Sequence, residues 1–419
     1  MATMTGLPAP GAPHVLAVIQ AGGQGSRMDV LTRERAKPAL PFAGTYQLVD
    51  LALSSIANSG VDDVWVSVQY MAGSLDTHLQ SGRPWDLDRT RGGYRRIVPE
   101  EGRDRTGFSS GTADDLSKIA DEIASLGPDV VVVLSADQVY RVDLRELVDQ
   151  HRRRGSLATI ATVEVPRSQA AHKAVVTADA TGLVRRVEEK PEDPAHGVIS
   201  AEIVCFAAPE MLATLQQVRV EREARRTTRG PGPEGSGLGD LAEDLLPQLV
   251  AAGPVHTFAL GGYWQDMGRP AAYLTAHRDL VHGRVDVFDD PAWPVRSNHP
   301  DLGPARVRAS SRVADSVISA GCDVAGTVRG STLGPGVVVE EGAVVEDSVL
   351  FGGVVVERGA RVRTSVLDDD VRVGRDARVG STPRGHLTDD RVTLVGRGST
   401  VGRGVRLPGG SRLEPGTTA

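Results

Sequence analysis

The sequence predicts two domains in tandem: an α/β domain on a mixed, mostly parallel sheet, then a parallel β-helix. Three observations carry this prediction. From Val15 to about Val281 short apolar segments alternate with helical patterns, the order that lays strands side by side with helices over both faces. A proline-rich polar stretch, PAWPVRSNHPDLGPAR, then interrupts the pattern. Beyond it aliphatic residues recur at every sixth position, Val338, Val344, Leu350, Val356 and Val362, and after one slip at Leu367, Val373 and Val379. That is the period of coils whose inward side chains stack on those of the next coil. The boundaries read as a disordered lead over 1–13, the α/β domain over 14–283, a linker over 284–305 and the β-helix over 306–419.

Composition narrows the possibilities. The 419 residues are enough for both cores. A formal net charge of −7, with no long basic block, argues against nucleic acid as a partner. No apolar run approaches the roughly 18 residues that a membrane helix needs. The lead, MATMTGLPAPGAPH, has neither the charged nor the apolar region of a secretory signal. A cytoplasmic location is therefore expected, with Cys205 and Cys322 as free thiols. Only four of the 47 basic residues are lysine: Lys37, Lys118, Lys173 and Lys190. In so arginine-biased a chain, a persisting lysine points to a place where a compact ammonium serves and a guanidinium fork does not.

The elements follow in order. VLAVIQ is the first strand, and it runs into Ala21, Gly22, Gly23, Gly25, Ser26 and Arg27. The glycines let a ligand approach the backbone, and free N–H groups in such a turn suit phosphate. Neither G-x-G-x-x-G nor G-K-[ST] spacing is present. Lys37 follows in ERAKPAL as a second cation near the turn. DDVWVSVQY, DVVVVLSAD and LATIATVEV are further strands; YQLVDLALSSIANSG and TADDLSKIADEIASLG are helices that stop at Gly60 and Gly127. Ligands of such sheets collect at the carboxyl ends of strands, where the glycine turn and Asp137 both fall. Asp137 reads either as a turn or helix cap or as a Mg²⁺ ligand, with Asp266 of GGYWQDMG as the second carboxylate. In the C-terminal region SVI, STL, SVL and SVL recur at Ser316, Ser331, Ser348 and Ser365.

AGGQGSRM, RAKPAL, GTADDL, SADQVYRVD, VEEKP and YWQDMG occur in the order found in sugar-1-phosphate nucleotidyltransferases. Over nearly its whole length the chain resembles the bacterial glucose-1-phosphate adenylyltransferase (ADP-glucose pyrophosphorylase) family. The resemblance implies a Rossmann-like nucleotidyltransferase domain and a left-handed β-helix. It implies a triphosphate held by the turn from Gly22 to Arg27, with Arg27 and Lys37 on the phosphates. Gly111 and Thr112 would border the base and ribose. Asp137 and Asp266 would hold Mg²⁺, Lys190 the sugar phosphate, and Glu189 and Ser200 the sugar. The substrates would be an NTP and a sugar-like 1-phosphate, and the assembly a homotetramer or homodimer.

The chain departs from the family where substrates are read. Ala136–Asp137–Gln138 replaces G-D-H, and HKAVV replaces S-F-G-V, which puts Lys173 and Ala174 in the sugar pocket. Glu202–Ile203–Val204 replaces G-I-Y. Glu101 and Gly102 of PEEGR stand where paired glutamines help read adenine. A carboxylate can accept from the N–H face of guanine and not from adenine N1. Lys37, Asp137, Lys190 and Asp266 are all kept, so the expectation is an active enzyme with changed substrates, GTP in place of ATP. Resemblance to members of the family that serve aminocyclitol antibiotic biosynthesis implies a cyclitol 1-phosphate such as valienol 1-phosphate as the acceptor. The alternatives are an ADP-glucose synthase serving glycogen and a non-catalytic regulatory paralogue. Hexapeptide β-helices also build acyltransferases, which use a histidine. His386, alone in the repeat region, reads instead as a solvated loop residue.

Overall fold

The computed structural model describes residues 12–23, 25–98, 109–227, 238–382 and 385–419. Residues 1–11 of the expected lead lie outside them. The first strand, β1 (Val15–Gln20), has Leu16, Ala17, Val18 and Ile19 fully buried, as a strand covered on both faces must. It pairs in parallel with β2 (Asp63–Ser67) on one side and with β4 (Val130–Ser135) on the other. β3 (Gly93–Ile97) extends β2 in parallel. The other half of the sheet contains β5 (Ala158–Glu164), β6 (Ala174–Ala178), β7 (Val184–Glu189), β8 (Val198–Ala207) and β9 (Val255–Ala259). The order across the sheet is β7–β6–β8–β4–β1–β2–β3, with β5 between β8 and β9. β8 is antiparallel to β4, β5 and β6, so the sheet is mixed and its parallel half carries the glycine turn. Two apolar clusters cover the two faces.

The helix expected over TADDLSKIADEIASLG is two helices, Thr112–Lys118 and Ala120–Leu126, broken where Ile119 leaves helical geometry at φ −105°, ψ 8°. The segment after the glycine turn is a kinked 3₁₀ helix, Ser26–Thr32, not a regular α-helix. Among the described residues no helix is long and apolar enough to cross a membrane.

The C-terminal domain is a left-handed β-helix of three six-stranded parallel sheets. Val338 pairs with Val355, and Val355 with Arg372, so one coil takes 17 residues. The inward, fully buried series runs Val339, Val345, Leu350, Val356, Val362, Leu367, Val373 and Val379. The hexad therefore slips once in every coil, and Val338 and Val344 lie beside the inward position instead of in it. At the recurring serines the N–H of Ser331 donates to Ser316 Oγ (3.2 Å), Ser348 to Ser331 (3.1 Å) and Ser365 to Ser348 (3.2 Å). Each hydroxyl in turn donates to the carbonyl two residues back. The step from Arg372 to Thr400 is longer, because a loop containing exposed His386 is inserted there.

One apolar cluster spans both domains: Met28, Leu40, Phe42, Tyr273 and Leu274 pack with Val349, Phe351, Val366 and Leu394. Arg278 adds a two-pronged ion pair to Asp347 at 2.7 and 2.6 Å. Residues 284–305 contain no strand or helix, yet they are strapped to the first domain: Asn58 Nδ2 donates to Pro294 O (3.0 Å) and Arg296 N–H to Ser54 Oγ (2.9 Å).

Candidate active site

A cavity of about 540 Å³ opens at the carboxyl ends of β1 and β4. Gly25 takes the left-handed conformation at φ +65°, and a Cβ there would sit 3.0 Å from Lys37 Cβ. The glycine turn and the lysine segment thus pack directly on one another. Gly22, Gly23, Ser26 and Arg27 line the same cavity. Ala21 does not. It is buried, and its N–H donates to Ser67 O (2.8 Å), which fastens the turn to β2.

The two acidic candidates meet through a very short ribbon. Just beyond β4, Gln138–Val139 pairs antiparallel with Gln265–Asp266, with Asp266 opposite Gln138. Asp137 and Asp266 thereby reach one ammonium. Lys37 Nζ lies 2.6 Å from Asp137 Oδ2 and 3.6 Å from Asp266 Oδ1. The Ser135 hydroxyl donates to the other Asp137 oxygen. Lys37 is only 7% exposed. Burial alone would lower its pKa, but Asp137 and Asp266 outweigh burial and hold it above the ordinary lysine value. Burial pushes the Asp137 carboxyl up, and the Lys37 charge more than offsets this, holding it below the usual carboxylate range. Both groups therefore stay ionised at neutral pH.

Gly111 opens the first of the paired helices against the backbone of Gly239, where a Cβ would fall 2.3 Å from the carbonyl carbon. Thr112 Oγ1 accepts from Leu241 N–H (2.9 Å), and its own N–H donates to Asp240 Oδ1 (3.2 Å). Ala174, Glu189, Lys190 and Ser200 line the same cavity. Lys190 pairs with Glu189 and lies 3.8 Å from Asp240. Arg27 is near enough for its charge to act against that of Lys190. Glu101, expected at the base, lies outside the described residues.

Of the other lining residues, Asp115 had no role in the sequence reading, whereas Lys173 and Glu202 entered it only as departures from the family pattern. Asp115 gathers Ser67 Oγ (2.6 Å), Gln69 Nε2 (3.2 Å) and Gln20 Nε2 (3.3 Å), and its burial pushes its carboxyl up. It is the second aspartate of GTADDL, and the doubled acid was the available signal. Lys173 Nζ lies 2.7 Å from Asp266 Oδ2 and 3.0 Å from Glu202 Oε1, above the Trp264 ring at 5.9 Å. Trp264 is held by its indole N–H, which donates to Gln138 Oε1 at 2.8 Å. Glu202 sits at φ +55° where β8 shifts register between Ser200 and Val204, so a bulge aims it into the cavity. Lys190 also has positive φ, +45°. Strain of this kind, about 1–3 kcal/mol per residue, concentrates at ligand sites.

Residues 16–283 match the family model described as nucleotidyl transferase. The chain belongs to the nucleotidyl transferase family. Residues 304–401 match a second model, the GlmU-like C-terminal hexapeptide. Similar proteins include glucose-1-phosphate adenylyltransferases from Thermosipho africanus, 32% identical over 80% of this chain and 78% of the relative, and from Thermotoga neapolitana, 35% identical over 80% and 76%. A third, from Corynebacterium kroppenstedtii, is 35% identical over 80% and 83%. The chain is therefore a nucleotidyltransferase, and the nucleotidyl transferase domain is the one that contains the cavity.

Proposed function

We propose that this cavity joins an NTP to a sugar 1-phosphate, and that ATP and glucose 1-phosphate are the pair, as the names of the relatives indicate. The reading rests on one observation: Lys37, Asp137 and Asp266 converge beside the glycine turn. An oxygen of the acceptor phosphate attacks the α-phosphorus, the α–β bridging P–O bond breaks, and pyrophosphate leaves with the electron pair. No general base is required, because the acceptor phosphate is already largely ionised at neutral pH. The protein's part is to align the two phosphates and neutralise their charge. Arg27, exposed in the glycine turn, and Lys37 are the cations for the triphosphate; Lys190 and Glu189 face the acceptor.

A divalent metal fits this site. Among the described residues no group of three or more His, Cys, Asp or Glu forms a cage. Mg²⁺, however, is ordinarily held by one or two carboxylates plus substrate phosphates, and Asp137 and Asp266 supply those carboxylates. Bound there, the metal would neutralise charge on the transferring phosphoryl group.

A specific observation favours a second reading for the acceptor. The wall that faces it contains Lys173, tied to Asp266 and Glu202, and Ala174 in place of glycine. That wall suits a changed acceptor such as a cyclitol 1-phosphate. The companion idea of GTP rests on Glu101, outside the described residues. The test is kcat/KM for pyrophosphate release with ATP, GTP, UTP and CTP, each with glucose 1-phosphate and with valienol 1-phosphate. ATP with glucose 1-phosphate as the best pair upholds the first reading. GTP with the cyclitol, ahead by roughly 10- to 100-fold, overturns it. Binding of nucleotide without turnover of any pair makes the chain a regulatory paralogue.

We further infer a homo-oligomer. Among the described residues the first coil of the β-helix leaves strands Arg306–Val307 and Arg312–Ala314 unpaired on one side, with Val307 57% and nearby Leu302 47% exposed. An open apolar edge is a template for a second copy. Light scattering tests this, and a monomer at micromolar concentration refutes it.

A further inference from the structure

Three cations spaced two residues apart follow the glycine turn, and each has carboxylate partners elsewhere in the fold. Arg33 reaches Glu414 in the last coil of the β-helix at 3.2 Å and Asp29 at 3.2 Å. Arg35 pairs with Asp368 and, at 2.8 Å, with Asp369, both in the β-helix. Lys37 reaches back into the cavity to Asp137. Arg33 is a half-exposed surface pair of small worth. Arg35 is different. It is 7% exposed and Asp368 2% exposed, and the guanidinium lies over the Phe351 ring at 5.4 Å. The same segment is pinned on either side of Lys37: Ala36 N–H donates to Ser74 Oγ at 2.9 Å, and the Tyr273 hydroxyl donates to Pro41 O.

We propose that Arg35 is a positioning residue for Lys37: Asp368 and Asp369 of the β-helix clasp its guanidinium and thereby fix where the Lys37 ammonium stands between Asp137 and Asp266. This rests on the reading of Lys37 as part of the transfer site. Only Ala36 stands between Arg35 and Lys37, which leaves the chain little freedom, and a buried guanidinium is fixed by its partners because an unpaired one is too costly to leave. Lys37 is held from two directions, by the clasp through the chain and by the cavity carboxylates through its side chain. The β-helix enters the reaction without touching substrate.

The test uses the full-length chain. Asp369→Asn removes a partly exposed carboxylate, Asp368→Asn the buried one, and Arg35→Lys keeps the charge but not the two-carboxylate reach. Each is expected to lower kcat about 10- to 100-fold, the effect of misplacing a catalytic group by roughly an ångström. KM for both substrates should stay within about twofold. Combining Arg35→Lys with Asp369→Asn should cost no more than the worse single change, because both break one linkage. A general loss of stability would instead lower the amount of active enzyme and leave these ratios unmoved, so active sites are counted by nucleotide binding in parallel. If Asp368→Asn does not fold, the other two variants carry the test. Unchanged kcat in both of them, or strictly additive effects, overturns the clasp. Lys37→Met separates the two proposals: near-normal turnover in that variant overturns the reading of the site itself.

Discussion

Replacing Asp137 by asparagine preserves shape and removes one charge. Lys37, 7% exposed, then keeps only Asp266, at 3.6 Å. Removing one partner of a buried ion pair costs about 3–5 kcal/mol. Here the Asp137 side chain is 27% exposed to the cavity and a second carboxylate remains, so about 1–3 kcal/mol is expected. A folded chain with the usual margin of roughly 5–15 kcal/mol survives that and melts a few degrees lower. Turnover should respond far more. On the proposed reading the variant loses a carboxylate that would hold the metal and the partner that holds Lys37, together several kcal/mol of transition-state stabilisation, or on the order of 10³-fold in rate. The assay is pyrophosphate release under saturating substrates, with a melting curve on the same sample. Turnover within tenfold of the parent, in a variant that melts normally, would remove Asp137 from the site. Asp266→Asn should behave alike, with an added stability cost, because Lys173 loses its partner at 2.7 Å.

Three further outcomes are expected. His151 and His277 are buried, and burial holds each down to about 4. Between about 6.5, the unfolded value, and 4 the unfolded chain binds more protons, so stability falls as pH drops through that window, by on the order of a few kcal/mol per histidine. Denaturant titrations at pH 7 and pH 4.5 check this, and His277→Leu should lose less than the parent. Ser348→Ala removes the acceptor of the buried Ser365 N–H and should cost about 1–3 kcal/mol in the same titration; no change would mean that the serine ladder is incidental. A chain ending at Arg284 would expose Leu40, Phe42 and Tyr273 of the shared cluster, and light scattering should find it aggregated; a monodisperse product would show the domains to be independent.

Much of this was legible because periodicity and chain punctuation are local. β1 ends in its glycine turn, Asp137 follows a run of valines, and the aliphatic spacing implies stacked coils; each can be read within a dozen residues. The break at Ile119 escaped, since both halves share one helical pattern. The slip in every coil escaped because neighbouring valines, such as Val338 and Val339, make two phases equally apolar. Glu202 enters the cavity only because β8 bulges, and a bulge needs a partner strand to define it. Lys173 was conspicuous as one of four lysines, but its link from Asp266 to Glu202 joins three separate segments. The Arg35 clasp is more remote still, since Asp368 lies 333 positions along the chain.

The ribbon that joins Gln138–Val139 to Gln265–Asp266 also bears on when the site comes into being during synthesis. Residues emerge from a ribosome at roughly 5–20 per second, so Asp137 and Lys37 emerge on the order of 10 s or more before Asp266. During that interval β5 to β9 are still being added, and the antiparallel strand β8 that backs β4 arrives late. A growing chain therefore has the glycine turn without a complete pair of acids. On the proposed reading of the site, nucleotide is turned over only after the chain has doubled back past Asp266, so the carboxylate pair reports that the first domain is complete.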